Sequence, residues 1–419
     1  MQPITASGRS RGPDFQNLWV AHTASIFGSH ISLVAIPLLA IGVLDANAFQ
    51  LGLLTAANLA PYLIAGLFVG IWVDRLPKRP LLMAADLGRV VSLLAIPILV
   101  WTDQLTFFRL LLLTLVHGFL TVLFNVADVS FLPAVVTRAE LPNANARLAL
   151  STSVARVSGP AAAGALIGIL SAPFALLIDA LSYLLSAVFI GKIGVEGRPD
   201  GVIEREPIKA SLTEGFRTLR SIPELFSLVA SAAMTSMFGM ALQTLLILFL
   251  GERIGLGATG IGLMLAIGGV GAVFGSLMSS RIVLAFGIGR AILFAQFCFG
   301  LSGLILPFAL LVPSAAAIAL VALSLFLQLA FNTVREVNGA AMSQALIPPD
   351  RLGRTQSTSL FSIKVFEVLG TLAASALAVV SSVSVAIVLL ELGLFISILP
   401  LFWGGVAAVA HLSEIEAHA

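Results

Sequence analysis

Three carboxylates and two cations lie well inside apolar stretches of the sequence, where an unpaired charge is costly. Asp179 and Glu391 occur at similar depths in two such stretches, and Arg156, Lys364 and Glu367 occur in two others. A carboxyl group in an apolar cavity can exchange a proton, so Asp179, Glu367 and Glu391 are candidates for proton coupling. The alternative for each is a neutralised pair or a hydrogen bond to a neighbouring helix. We favour that alternative for Arg156, and also for Lys364 and Glu367. The last two lie three residues apart, close enough on one helix face to form an ion pair.

Polar and thioether side chains recur at helical spacing in four of the apolar stretches. His117, Thr121 and Asn125, for example, follow one another at intervals of four residues and therefore share a helix face. Such stripes can line a cavity for a small-molecule substrate, or they can mediate packing between helices. The candidate cavity residues are Ser25, Ser29, His117, Thr121, Asn125, Met237, Gln243, Gln328 and Asn332.

The composition is that of an integral membrane protein. The 419 residues are 58% hydrophobic and 11% charged, with a mean hydropathy of +1.05, whereas a soluble domain is about 25% charged. Twelve apolar stretches are long enough to cross a bilayer as helices, which predicts an all-α membrane protein. They cover residues 18–44, 50–73, 80–101, 105–127, 149–170, 173–193, 223–250, 258–284, 289–311, 314–338, 356–380 and 383–409.

One long polar interruption separates the first six stretches from the last six. Lys and Arg residues are concentrated on one side of this topology, so we expect both termini to be cytoplasmic. The predicted organisation is a cytoplasmic N-terminal tail, a six-helix bundle, a cytoplasmic central loop, a second six-helix bundle and a cytoplasmic C-terminal tail. The bounds of these parts are 1–17, 18–193, 194–222, 223–409 and 410–419.

The two halves of the sequence resemble each other. Leu141 and Leu352 are 211 residues apart, and so are Gly159 and Gly370. This repeat predicts two pseudo-symmetric bundles related by an axis along the membrane normal. Parallel repeats of six helices, with a site at their interface, are typical of alternating-access transporters.

The stretch GLFVGIWVDRLPKRP, residues 66–80, places glycines on one helix face and charges where the apolar run ends. The glycines allow another helix to approach closely. The stretch resembles the signature of the loop between the second and third helices of the major facilitator superfamily, with Pro77 in place of the usual glycine. The residues of this gating motif are Gly66, Gly70, Asp74, Arg75, Lys78 and Arg79.

The resemblance implies a conformational latch in which the loop acid lies near the start of the eleventh helix. The free N–H groups of the helix that begins near Thr355 would stabilise the carboxylate of Asp74. An acid at the end of the fourth helix, here Asp128, could pair with Arg75 or Arg79. The alternative is that these basic residues only anchor the loop at the membrane surface.

A second motif, SGPAAAG at 158–164, resembles the fifth-helix signature of the drug/proton antiporters through Gly159, Pro160 and Gly164. The segments LIDALSYLLSA, HGF and ELPNANA are similar to the subgroup of macrolide and enterobactin-type exporters. The resemblance covers essentially the whole chain and implies proton-driven export. An arginine expected in the fourth helix is replaced by Thr114, so the coupling residues of that group are not carried over.

Other classes of function find little support. No G-x-x-x-x-G-K-[ST] phosphate loop is present, which argues against ATP-driven transport, and no catalytic constellation indicates an enzyme. His22 and His30 lack accompanying ligands, so neither a metal site nor a cofactor is expected. The net charge of +2 comes from basic loops and implies no nucleic-acid partner.

We therefore expect a monomeric multi-pass transporter in the bacterial inner (plasma) membrane. Its expected partners are a small-molecule substrate, protons and the lipid bilayer. The predicted function is proton-coupled export of small amphiphilic compounds, such as drugs, macrolides or siderophore-like metabolites, by alternating access. The alternatives are uptake or lysolipid transport within the same superfamily, or a non-transporting membrane sensor.

Overall fold

The first half of the chain folds into six long helices. Because lipid offers no hydrogen-bond partners, apolar runs of this length satisfy their backbone groups internally as helices. The computed structural model describes residues 12–137, 139–197, 208–348 and 351–409, without the side chains of 64–75 and 208–212. The six helices are α1 (Gly12–Leu44), α2 (Ala48–Arg75), α3 (Lys78–Trp101), α4 (Phe107–Val135), α5 (Leu141–Leu170) and α6 (Ala172–Gly191).

The second half repeats this arrangement, with two of its membrane crossings interrupted. The short helices α11 and α15 continue α10 and α14 after breaks of one and two residues. The helices are α7 (Ile208–Ser221), α8 (Pro223–Leu248), α9 (Ala258–Phe286), α10 (Ile288–Gly303), α11 (Ile305–Phe308), α12 (Ser314–Leu346), α13 (Leu352–Val380), α14 (Val383–Ile396) and α15 (Leu399–Trp403).

Within the described residues, eleven helices are long and apolar enough to cross a membrane. The twelfth long helix is α2, whose last part has side chains outside the description. The prediction of an all-α fold with twelve membrane helices is therefore confirmed.

The polar segment between the halves contains a helix, α7, that the sequence did not predict. Glu214 of α7 forms an ion pair with Arg354 of α13. Gly215 faces the same turn of α13, where an added Cβ would come within 2.9 Å of the carbonyl oxygen of Arg354. The absence of a side chain at Gly215 thus lets α7 pack directly along the start of α13.

The two ends of the helical assembly are packed differently. We call the end containing Gly12, Arg79 and Leu352 the basic face, and the end containing Leu44 and Ala258 the closed face. At the closed face one continuous hydrophobic core includes residues from both halves of the chain. Its members include Leu51 of α2, Ala163 of α5, Leu245 of α8, Ile261 of α9 and Ala374 of α13.

Towards the basic face the halves have separate cores. One surrounds Phe131 and Ala144 of the first half, and two others surround Met342 and Leu225 of the second half. The two bundles therefore meet at the closed face, and the described side chains form no common core between them near the basic face.

The two bundles approach each other closely where α5 crosses α9, near the closed face. A Cβ on Gly164 would lie 2.8 Å from the Cα of Gly262, and one on Gly262 would lie 2.7 Å from the Cα of Gly164. Further along the same crossing, a Cβ on Gly269 would lie 2.7 Å from the Cα of Val157. A larger side chain at these glycines would have to push the two helices apart.

Candidate substrate cavity

A cavity of about 570 Å³ lies between the two bundles. Its wall is built by α1 to α6 from the first half and by α8, α9 and α12 from the second. Pockets of about 300–1,000 Å³ are typical of sites for drug-sized ligands. Six of the nine residues proposed from the sequence line it: Ser25, Ser29, His117, Thr121, Asn125 and Gln243.

The other three candidates are not part of the cavity wall, and each is engaged by other groups. Met237 packs against α13, where a Cβ on Gly370 would come within 2.5 Å of its Cγ. Gln328 is buried and donates to Ser324 Oγ at 3.0 Å. Asn332 is occupied by Arg335 and Glu336 on its own helix, with hydrogen bonds of 2.8 and 3.0 Å.

An ion pair that was not predicted from the sequence reaches the cavity wall through Arg89. Asp86 and Arg89, one turn apart on α3, contact each other, and their side chains are 0% and 1% exposed. The guanidinium carbon of Arg89 is 4.1 Å from the ring centroids of both Phe124 and Tyr183. Its Nη1 also lies 3.4 Å from Ser25 Oγ in the cavity wall. The spacing of three residues between an acid and an arginine within the third apolar stretch was the available signal.

Asp179 is fully buried next to this pair, one hydrogen bond away from the cavity. Its carboxylate accepts hydrogen bonds from Ser32, which lines the cavity, and from Ser182 at 3.0 Å. Tyr183, which follows Ser182 on α6, also lines the cavity. Its hydroxyl oxygen lies 2.8 Å from the hydroxyl oxygen of Ser29. Asp179 therefore sits behind the wall and not in it.

The other two candidates for proton coupling lie in the second half. Glu391 is fully buried and accepts a hydrogen bond from Gln328 Nε2 at 3.2 Å, while its Oε2 has no described partner. Glu367 pairs with Lys364 at 2.6 Å, which is the alternative that we favoured for this pair. Lys364 Nζ also lies 5.4 Å from the ring centroid of Tyr62 on α2.

In the described part of the structure, Arg156 is not in the neutralised pair that we favour for it from the sequence. It lines the cavity and is exposed, although it lies near the middle of a membrane helix. Among the described side chains, no carboxylate oxygen lies within 4.0 Å of its guanidinium. Its charge therefore faces the cavity.

The gating motif is described only in part. Four of its residues belong to α2, namely Gly66, Gly70, Asp74 and Arg75. Their side chains, and the contacts of those side chains, lie outside the described part of the structure.

The described residues of the motif contact the end of α6 and the segment that follows it. The guanidinium of Arg79 donates a hydrogen bond to the carbonyl oxygen of Gly191. The backbone N–H of Lys78 donates to the carbonyl oxygen of Gly197 at 3.3 Å. Asp128 has His22 as its described partner, with Oδ2 3.1 Å from Nδ1, and not Arg79. Because His22 lines the cavity, this contact links Asp128 to the cavity wall.

The antiporter-like motif lies where α5 contacts α1 and α9. A Cβ on Gly159 would come within 2.5 Å of the Cβ of His30 on α1. The carbonyl oxygen of Pro160 would lie 2.6 Å from a Cβ on Gly262, and Gly164 packs on the same glycine. The three motif residues therefore set how closely α5 approaches its neighbours, and Pro160 also lines the cavity.

Two six-helix bundles around a central cavity are the architecture of membrane transporters built from internal repeats. Residues 18–335 match the Major Facilitator Superfamily, and the chain belongs to this family of transporters. The family membership confirms the superfamily resemblance and the expectation of a transporter rather than an enzyme.

Among characterised relatives, the multidrug efflux pump Tap of Mycolicibacterium fortuitum is 28% identical over 226 residues. The match covers 52% of this chain and 54% of that protein, so the chain spans about half the length of the curated relatives it matches.

Solved transporters share the fold over nearly the whole chain. A variant of the nucleoside transporter NupG superposes with a TM-score of 0.79 at 10% identity, covering 93% of this chain and 99% of that one. A bacterial homologue of the iron transporter ferroportin, in its inward-facing state, gives a TM-score of 0.75 at 16% identity, covering 94% and 100%. These structures support the predicted twelve-helix fold.

Proposed function

We propose that this transporter exports small amphiphilic compounds by alternating access, driven by the proton gradient. The observation that carries the proposal is the cavity between the bundles, which have a common core at one end and separate cores at the other. A cavity of this kind gives a substrate access from one side of the membrane at a time. Rocking of the bundles about it would move the access to the other side.

The direction of access follows from the charges. We propose that the basic face is cytoplasmic, because Lys and Arg residues of the predicted loops are concentrated there. The structure then corresponds to an inward-facing conformation in which substrate enters from the cytoplasm. Export is supported by the fifth-helix motif and by the similarity of the chain to Tap, which is named as a multidrug efflux pump.

Asp179 is our first choice for the proton-carrying group. Its carboxylate is fully buried and accepts a hydrogen bond from Ser32, which lines the cavity. A substrate in the cavity and a proton on Asp179 could therefore influence each other through the side chain of Ser32. Glu391 and Glu367 are the other candidates, but the carboxylate of Glu367 is paired with Lys364.

Proton-coupled export can be tested in inverted membrane vesicles that contain the full chain. Amphiphilic dyes added to energised vesicles should be accumulated and should dissipate the pH gradient. The variant Asp179→Asn should still bind a dye but lose the coupled proton flux. The matched control Asp103→Asn changes an exposed residue between α3 and α4 and should behave as the wild type. Substrate movement that does not respond to the proton gradient would contradict the proposal.

A further inference from the structure

The charged groups in the cavity wall are all of one sign. Arg89 and Arg156 line the cavity, together with His22, His30 and His117. No Asp or Glu among the described residues belongs to the wall. Because a guanidinium keeps its charge in proteins and an imidazole is either neutral or positive, the described part of the wall presents positive charge only.

The charge of Arg89 is already matched inside the protein. Asp86 pairs with it, and the rings of Phe124 and Tyr183 enclose its guanidinium at 4.1 Å. This side chain can still contribute to the wall, but it has little need of a further partner.

Arg156 differs from Arg89 in each of these respects. It is exposed to the cavity and has no described carboxylate within ion-pair distance. The backbone beside it is held in place, since Val157 packs against Gly269 at the crossing of α5 and α9. An unmatched cation at the interface between the bundles is costly inside a membrane unless water solvates it or a ligand supplies the opposite charge.

The remainder of the wall is largely apolar. Contributions come from both bundles, including Ile26, Leu33, Leu54, Phe124, Leu265 and Leu329. A ligand that matches this wall therefore combines an apolar body with an anionic group.

We infer, on the basis of the transport function proposed above, that the cavity binds small amphiphilic anions, with Arg156 binding the anionic group. A guanidinium can form two parallel hydrogen bonds with a carboxylate or a phosphate, which suits both groups. A cationic amphiphile in the same place would bring like charges together in a poorly solvated cavity. The anion would bridge the bundles, because Arg156 lies on α5 while Leu265 and Leu329 lie on α9 and α12.

The test uses three fluorescent probes that share a dansyl body. Dansylglycine carries a carboxylate, dansylglycinamide is neutral and dansylcadaverine carries an amine. Binding to the purified full-length protein is measured by fluorescence in detergent. We expect dansylglycine to bind about tenfold or more tightly than the other two, as is typical for one charged hydrogen-bonded contact.

The variant Arg156→Gln should remove this preference by weakening dansylglycine binding about tenfold, with little change for dansylglycinamide. Because Arg156 is exposed and has no described ion pair, its replacement should leave the fold intact. The matched control is Arg281→Gln, which changes an exposed arginine of α9 that is not part of the cavity wall and should retain the preference. Equal binding of the three probes, tighter binding of the amine, or an unchanged preference in Arg156→Gln would overturn the inference.

Two sources of such an anion can be separated by competition. Displacement of dansylglycine by lauric acid but not by benzoate supports a lipid-like substrate, and the reverse supports a water-soluble carboxylate. Displacement by neither overturns the inference.

A transport assay with the same probes distinguishes this inference from the proposed function. If vesicles export dansylcadaverine and not dansylglycine, export stands and the anion preference is wrong. If dansylglycine binds through Arg156 but no probe moves in energised vesicles, the binding inference stands and the proposed export fails.

Discussion

The carboxylate of Asp86 and the guanidinium of Arg89 form an ion pair inside the first bundle, with at most 1% of either side chain exposed. One carboxylate oxygen of Asp86 and Nε of Arg89 have no hydrogen-bond partner among the described residues. Each group therefore depends on the other for compensation of its charge, and loss of one should cost more than loss of both.

Replacement of Arg89 by methionine should lower the free energy of unfolding by about 3–5 kcal/mol, because it leaves the buried Asp86 unpaired. Adding Asp86→Asn to Arg89→Met should recover part of that loss. Thermal unfolding of the purified variants in detergent measures both effects. A double variant that is no more stable than Arg89→Met would contradict the argument.

The control for this series is a pair near the surface. Arg354 and Glu214 join α13 to α7 with side chains that are 38% and 36% exposed. Since exposed ion pairs contribute about 0–1 kcal/mol, Arg354→Met should change the unfolding temperature far less than Arg89→Met.

The contact between Gly164 and Gly262 leads to a prediction about conformation. A valine at Gly164 would overpack the crossing of α5 and α9, at a cost of about 1–3 kcal/mol for the state in which the closed face is sealed. That cost would shift the equilibrium between conformations by about 5- to 150-fold. Gly42→Val is the control, since a Cβ at Gly42 meets nothing within 4 Å.

The shift can be read from the accessibility of the cavity. Thr55 lines it near the closed face, where it lies 3.2 Å from Thr244 across the bundles. A cysteine at Thr55 should react with a membrane-impermeant maleimide from the closed face in Gly164→Val and should be protected in Gly42→Val. Equal protection in both backgrounds would show that the crossing does not seal this face.

Two glutamines lie in different surroundings, one in the interior of a bundle and the other in the cavity wall. Gln328 is buried and donates to Glu391, whereas Gln243 is exposed in the cavity wall. Gln328→Leu should lower the unfolding free energy by about 1–3 kcal/mol, because it takes away the described donor to a buried carboxyl group. Gln243→Leu should leave thermal stability unchanged and alter the KM for transport. The opposite distribution of effects would show that the structure assigns the two residues wrongly.

These two glutamines also illustrate how far the sequence alone could lead. Length and hydropathy predicted the twelve membrane helices, because a bilayer requires apolar helical spans. Polar side chains at helical spacing indicated possible cavity residues, but spacing does not reveal which way a helix is turned. Gln243 and Gln328 looked equivalent for that reason, and only the packing of α8 and α12 distinguishes them.

The charges were harder to interpret from the sequence. Lys364 and Glu367 pair as their spacing favoured, whereas Arg156, for which we also favoured a neutralised state, faces the cavity. Pairing on one helix follows from local geometry, but the neighbours of Arg156 depend on how α5 packs against α1 and α9. Asp128 shows the same limit, since its described partner His22 is on α1, far away in the chain.

The latch around Asp74 stays a prediction, because the side chain of this residue lies outside the described part of α2. The end of α2 at Arg75 and the start of α13 at Leu352 both lie at the basic face. A carboxylate at a helix N-terminus contributes about 0.3–2 kcal/mol, so Asp74→Asn should slow transport about two- to thirtyfold by weakening closure of that face. Transport is measured in inverted vesicles and normalised to the amount of inserted protein, with Asp103→Asn as the control at the closed face. Normal insertion of Asp74→Asn with an unchanged transport rate would contradict the latch and favour a simple anchor at the membrane surface.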